Sequence, residues 1–433
     1  MKIENDKVIE MKNKLKVGVG KTEYKIPLEV LPVENFKSIH DQLYTRIIYI
    51  ESQEKAVFVS LEMTSIRDYE LALIKQTVSE ILNVSIDHVW VCVTHTFSVP
   101  HIRNKTSLHT EEEHEKNNKL CTALLNSVER ASYQALNCIQ DAKIGFGNNY
   151  CSVNVNRDMY TLKGWWLGSN DLGVSDKLVS IVSFYNMQDK PIAILYSYDV
   201  QSSVMNGSLQ DDGSRIITGD LAGRASHYIE SQLEETVAMF IVGAAGDQAP
   251  AYQAEYTEIN PQGEFIKTDI QELGFVLVDK LGSKLGYHVV TAMNRIHSQE
   301  TFDSLCIQKT IFDCPGQMIP KVTKDILPTK EYKYIKDEKR EVEVEIMKIG
   351  SIVFVGCKPE LSSITAMDIK KASPFLQTMV FTMVNGGAKY MPDETSYDRI
   401  TYEAMNSMYA QGSAEILVEN TIKLLNQLSE ENE

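Results

Sequence analysis

Val89-Trp90-Val91-Cys92-Val93 runs directly into Thr94-His95-Thr96-Phe97-Ser98-Val99-Pro100. Valines alternate with Trp90 and Cys92, so the run is apolar on both faces, the pattern of a strand covered on both sides. Pro100 has no amide hydrogen to extend a ladder, and the hydroxyls and imidazole before it make a polar cluster where a buried strand leaves its sheet. Open α/β sheets collect their chemistry at such strand ends. A single histidine there has an equally plain use as a hydrogen-bonding cap, so its meaning rests on the rest of the chain.

Working upstream, residues 56–61 read as a strand and residues 67–82 as a helix with Leu71, Ile74, Val78 and Ile81 on one stripe. With the Val89 strand they predict a βαβ unit. Residues 43–50 read as a further strand. Val17-Gly18-Val19-Gly20-Lys21-Thr22 looks like the end of a phosphate loop, but Leu15 stands where its first glycine belongs and no helical pattern follows.

Downstream, residues 103–118 are polar, with Glu111, Glu112 and Glu113 in a row, and read as a solvated loop or helix start. Residues 121–139 predict an amphipathic helix. Residues 144–175, rich in Gly, Asn and Asp and carrying Trp165 and Trp166, predict a long irregular binding loop. Residues 179–184 and 192–198 predict a hairpin, and residues 221–235 a helix. Residues 236–242 form a second continuous apolar strand, which ends in Gly243-Ala-Ala-Gly246-Asp247-Gln248-Ala249-Pro250. A helix over 270–285, strands over 342–349, 352–357 and 378–384, and a closing helix over 414–428 complete the pattern. The expectation is one large mixed α/β domain over residues 16–433, behind a polar extension over residues 1–15. Helices cover layers of sheet, and the site lies at the strand ends marked by Val93, Val242 and Val355.

The totals narrow the function. With 433 residues, 43% of them hydrophobic and 24% charged, the chain is globular. A formal net charge of -16 leaves no basic surplus for displacing counterions from nucleic acid, which excludes that partner. The first sixteen residues hold no apolar run, so neither a signal peptide nor a membrane span is expected and the cytoplasm is the expected address. Seven scattered cysteines without a Cys-x-x-Cys pair suit reduced thiols and argue against a cysteine zinc site.

Taken in order, several of these segments resemble the catalytic domain of the neutral, non-lysosomal ceramidases, from Val17 to about Ala414. The family's opening glycine-bearing strand is followed by a His-Asp-x-Leu-x-x-Arg segment, here His40, Asp41, Leu43 and Arg46. Its Thr-His-Thr-His-Ser-Gly-Pro stands as Thr94 to Pro100, with Phe97 for the second histidine. Asn156-Arg157 matches an Asn-Arg pair, and Gly219, Asp220, Gly223, Ala225 and Glu230 match a later segment. The family's nucleophilic serine in Gly-Asp-x-Ser-Pro is replaced by Ala249. Lys358-Pro359-Glu360 resembles a zinc-binding Pro-x-Glu segment, and Tyr390 and Tyr402, twelve positions apart, reproduce the spacing of a zinc-binding and an active-site tyrosine.

This resemblance implies a zinc ion held by His95, Gln201, Glu360 and Tyr390, with Asp199 standing in for Gln201 under a two-residue slip; neither is the family's histidine. It implies Arg157 and Tyr402 as groups that hold an oxyanion or a substrate carboxylate, and Asp247 as a general base or supporting group. The expected activity is zinc-dependent hydrolysis of an amide C–N bond in a small-molecule or lipid-like substrate. Ceramide is not the expected one, because the chain lacks both an export signal and the second, immunoglobulin-like domain of the family. The other expectation is a metal-free binding or regulatory protein on the same scaffold. Oligomeric state is left open by the sequence.

Overall fold

The computed structural model describes residues 14–260, 264–297, 299–301, 304–319 and 326–430. Almost all of the polar extension expected over 1–15 lies outside them. The Val89–Val93 strand pairs in parallel with Lys55–Leu61 across the helix Asp68–Leu82, which is the expected βαβ unit. Together they form one end of an eight-stranded sheet. From the opposite edge its order is Val237–Val242, Pro191–Tyr198, Leu178–Asn186, Gln140–Tyr150, Lys16–Tyr24, Leu43–Glu51, Lys55–Leu61 and Val89–Val93. The two apolar strands picked out by their composition are thus the two edges. The sheet curls until those edges approach, and Ser60 Oγ donates to the Phe240 carbonyl at 2.7 Å.

Each face of this sheet is covered, which is why its strands read as apolar on both sides. Against one face pack the helices Asp68–Leu82, Glu111–Asn137, Asp220–Gln232 and Gly274–Met293, through Ile74, Leu124, Ala225 and Leu285 among others. The other face presents Ile48, Phe58, Trp90, Leu195 and Met239 to a second sheet, whose strand order is Leu305–Gln317, Lys336–Ile349, Ile352–Cys357 and Gln377–Phe381. Phe58, Phe354 and Phe381 meet edge to face or tilted at the centre. Beyond this second sheet lie the helices Ser363–Ala372 and Ser413–Glu430. The architecture is helix, sheet, sheet, helix: a mixed α/β layered domain, as expected.

One stretch departs from expectation. Residues 144–175 do not form an irregular loop: Gln140–Tyr150 joins the large sheet, and Asn154–Thr161 pairs antiparallel with Gly164–Asn170. Glycine and asparagine mask the strand signal, but cross-strand pairing outweighs their low β-propensity. Of the two readings of the polar 103–118 segment, the helix start holds from Glu111 onward, because Thr110 and Glu113 close a reciprocal capping box. The glycines of Lys16–Tyr24 have a packing reason. A Cβ on Gly20 would lie 2.0 Å from the Ala131 carbonyl oxygen, so the strand seats directly on the helix Glu111–Asn137.

Candidate functional site

His95 is the second residue after its strand, and its backbone is left-handed at φ 54. That conformation is costly for a non-glycine residue and persists where neighbours over-determine it. Here Thr94 N donates to Leu61 O, Thr96 N to Met63 O, and Thr96 bridges Ser202. The turn aims the imidazole inward. Nδ1 faces the Thr64 carbonyl at 2.7 Å, so Nδ1 carries a proton for that bond and Nε2 points at Glu360.

Glu360 arrives from the second sheet. After Ile352–Cys357 ends, Lys358-Pro359 turns the chain into the two-residue strand Glu360–Leu361, parallel to Tyr390–Met391 with Glu360 directly beside Tyr390. The Gly246 amide donates to Leu361 O at 2.9 Å, tying the loop after Val237–Val242 to this segment. His95 Nε2 and Glu360 Oε2 lie 3.2 Å apart, and neither atom has a hydrogen-bonded partner although both are buried. Burial alone would raise the Glu360 carboxyl, yet the adjacent His95 and Arg157 hold it below the usual value. Burial pushes the Tyr390 phenol well above its ordinary range.

Arg157 sits in Asn154–Thr161, which pairs with the short strand Gln248–Pro250, Ala249 facing Val155. Its Nε donates to Glu403 Oε1 at 2.7 Å and its Nη1 to Gln201 Oε1 at 3.0 Å. The guanidinium stands 5.4 Å from the Tyr390 ring centre and 5.9 Å from that of Tyr402, and the two rings meet edge-on at 5.9 Å. Burial works against the Arg157 charge, and Glu403, Tyr390 and Glu360 together more than offset it, so the guanidinium is held protonated. Arg157, Gln201 and Ala249 line a cavity of about 750 Å³, which Trp166, Tyr252 and Tyr256 also border.

The Asp247 and Asp199 carboxyls make other contacts. Asp247 accepts hydrogen bonds from Asn156 Nδ2, Gln248 Nε2 and the Ser363 amide, and with Asn156 borders a separate cavity of about 700 Å³. Burial pushes its carboxyl up to about 7. Asp199 accepts from the Ala244 amide and Ser363 Oγ, and burial pushes it up to about 6. Of the two alternatives at the fourth ligand position, Gln201 is therefore the one in contact with Arg157. Sequence reasoning left out Asp158 and Thr64. The triple Asn156-Arg157-Asp158 within a strand was a readable sign of the first; nothing marked the Thr64 carbonyl.

The donor set can be compared with what zinc requires. Two ligands at ~2.0–2.1 Å from a tetrahedral zinc lie ~3.3 Å apart. His95 Nε2 and Glu360 Oε2 have the spacing of two such ligands, and Tyr390 is paired beside Glu360 in the two-stranded sheet. The Gln201 amide oxygen already accepts from the Arg157 cation and fits less well. Among the described residues no group of three or more His, Cys, Asp or Glu gathers as a metal site, so the fit depends on the phenol.

Among solved structures, the chain is similar to the crystal structure of neutral ceramidase from Pseudomonas aeruginosa, with a TM-score of 0.73 and 15% identity over 96% of this chain and 75% of that one. It is likewise similar to a structure described as ceramidase complexed with C2, with a TM-score of 0.73 and 15% identity over 97% of this chain and 76% of that one. No protein-family profile matches the chain, and no curated protein matches it. The fold is that of neutral ceramidase.

Proposed function

We propose that this chain hydrolyses an amide C–N bond with the help of a zinc ion held by His95, Glu360 and Tyr390. The observation that carries the reading is the 3.2 Å approach of two buried atoms, His95 Nε2 and Glu360 Oε2, neither of which has a hydrogen-bonded partner elsewhere. Zinc bound there supplies Lewis acidity toward a carbonyl and acidifies water. With Ala249 in the family's serine position, water is the nucleophile. The chain's own residues do the rest. Thr64 fixes the His95 ring, while Arg157 and Tyr402 donate toward the oxyanion that develops on the substrate carbonyl. Trp166, edge-on to Tyr402 at 5.6 Å, keeps water from their outer side. Asp247 acts as a supporting group, holding Asn156 and the Ser363 amide.

The cavity beside Arg157 suits a small-molecule or lipid-like amide as substrate. The test is metal per chain in purified wild type, His95→Ala and Glu360→Ala. About one zinc in the wild type and little in either variant supports the reading, followed by zinc-dependent amide turnover. The Arg157–Gln201 bond favours a second reading, in which the guanidinium takes over a ligand's place and the scaffold binds without hydrolysing. Wild-type protein that takes up no zinc when zinc is supplied overturns the first reading in favour of the second.

A further inference from the structure

Around Arg157 the acids outnumber the bases. Asp158, Glu403, Glu360 and Asp247 are all buried or nearly so, against Arg157 and Arg399. Buried carboxylates without compensating donors are expensive. Glu403 satisfies one oxygen through Arg157, but Glu403 Oε2 and Asp158 Oδ2 have no hydrogen-bonded partner. Arg399 Nη2, on the short helix Glu394–Arg399, approaches Asp158 Oδ2 only to 3.5 Å.

The backbone explains how neighbouring residues reach the same carboxyl. The pairing of Asn154–Thr161 with Gly164–Asn170 shifts register between Asn156, which faces Asn170, and Asp158, which faces Leu167, so the extra residue lies on the partner strand opposite Arg157. Strict alternation would send Arg157 and Asp158 to opposite faces, and the stronger local twist at such an irregularity relaxes that alternation. Both side chains meet Glu403, at the start of the helix Tyr402–Met405: Arg157 by its guanidinium, Asp158 by a carboxyl within hydrogen-bonding reach.

Ionised carboxylates only accept, so two of them facing each other in a buried place satisfy neither. We propose that Asp158 is held protonated and donates to the Glu403 carboxylate, so that the pair carries one negative charge against Arg157 and Asp158 is a positioning residue for that guanidinium. Burial first, then the charges of Glu403 and Asp247, drive the Asp158 carboxyl far above its usual range, with Arg399 acting the other way. One negative charge rather than two leaves Arg157 cationic character to direct toward the cavity. This inference needs no metal and no turnover, so it stands or falls apart from the proposed activity.

The test is thermal stability between pH 4.5 and 8 for the wild type, Asp158→Asn and Glu403→Gln. An acid whose folded pKa is raised contributes stability that is present at low pH and lost as pH rises through that pKa. Asp158→Asn keeps a donor toward Glu403 without a titrating proton. It is expected to melt above the wild type at pH 8, the gap closing toward pH 4.5, with the linkage slope reduced by up to about one proton. Glu403→Gln offers an amide donor to Asp158 and is expected to flatten the slope likewise, whatever its absolute stability. Asp158→Asn melting below the wild type at pH 8, as loss of an ionised Asp158–Arg399 pair requires, overturns the proposal; so do unchanged slopes in both variants.

Discussion

At the scale of single residues, burial decides the ionisation that matters between pH 5 and 8. Burial pushes Asp247 up to about 7 and Asp199 up to about 6. Both therefore stay protonated in the fold at a pH where the unfolded chain has released their protons. Their contribution to stability is complete below about pH 4 and is lost as pH rises through 6 and 7, each factor of ten in proton affinity being worth about 1.4 kcal/mol. The melting temperature is expected to fall from pH 5.5 to pH 8, measured by circular dichroism; a rise would mean that these two acids ionise freely in the fold. Gln201 gives a second expectation. Its amide oxygen is a weak donor already engaged by Arg157, so Gln201→His supplies an imidazole where the site is poorest. Chelator competition is expected to show zinc held at least tenfold more tightly in Gln201→His, about 1.4 kcal/mol; unchanged or weaker binding would place Gln201 outside the ligand sphere.

At the scale of elements, the tight seats lie where strand meets helix. A side chain on Gly20 would drive a carbon into the Ala131 carbonyl, and the backbone of a 27-residue helix cannot yield as a flexible side chain does. Gly20→Val is expected to destabilise the protein by about 3 kcal/mol or more, read from urea unfolding. The same helix begins with the Thr110–Glu113 capping box, where Thr110 Oγ1 accepts from the Glu113 amide at 3.2 Å. Thr110→Ala is expected to cost about 1 kcal/mol in the same measurement. The βαβ unit and the 178–198 hairpin were legible because period and turn residues agree there. The Asn154–Thr161 and Gly164–Asn170 pair was not legible, because polar strand residues such as Asn156 and Arg157 are held by tertiary hydrogen bonds rather than by propensity.

For the whole molecule, the middle layer binds the halves together. Phe58 of the eight-stranded sheet packs against Phe354 and Phe381 of the four-stranded one, with Trp90 edge-on to Phe58, all buried. Neither sheet buries its inner face without the other, so one cooperative transition is expected, with tryptophan fluorescence and far-ultraviolet circular dichroism coinciding. Phe354→Ala is expected to lower stability by about 3–5 kcal/mol. Two separated transitions would mean that the layers fold independently. The site inherits this architecture: His95 comes from an edge of one sheet, Glu360 from beyond the other, and Arg157 from a small third sheet.

The sequence by itself determined the layered mixed α/β class, because apolar runs and helical stripes record burial residue by residue. Through its resemblance to the neutral ceramidases it also pointed to His95, Arg157, Glu360, Tyr390 and Tyr402 as candidates. Tertiary structure alone decided that His95 Nε2 meets Glu360 Oε2, that Gln201 rather than Asp199 faces Arg157, and that Asp158 turns toward Glu403. Those contacts join residues up to 265 positions apart, from His95 to Glu360. Period and propensity act over one or two turns of chain, whereas a bulge, a left-handed turn and the meeting of two sheets set where such distant atoms converge.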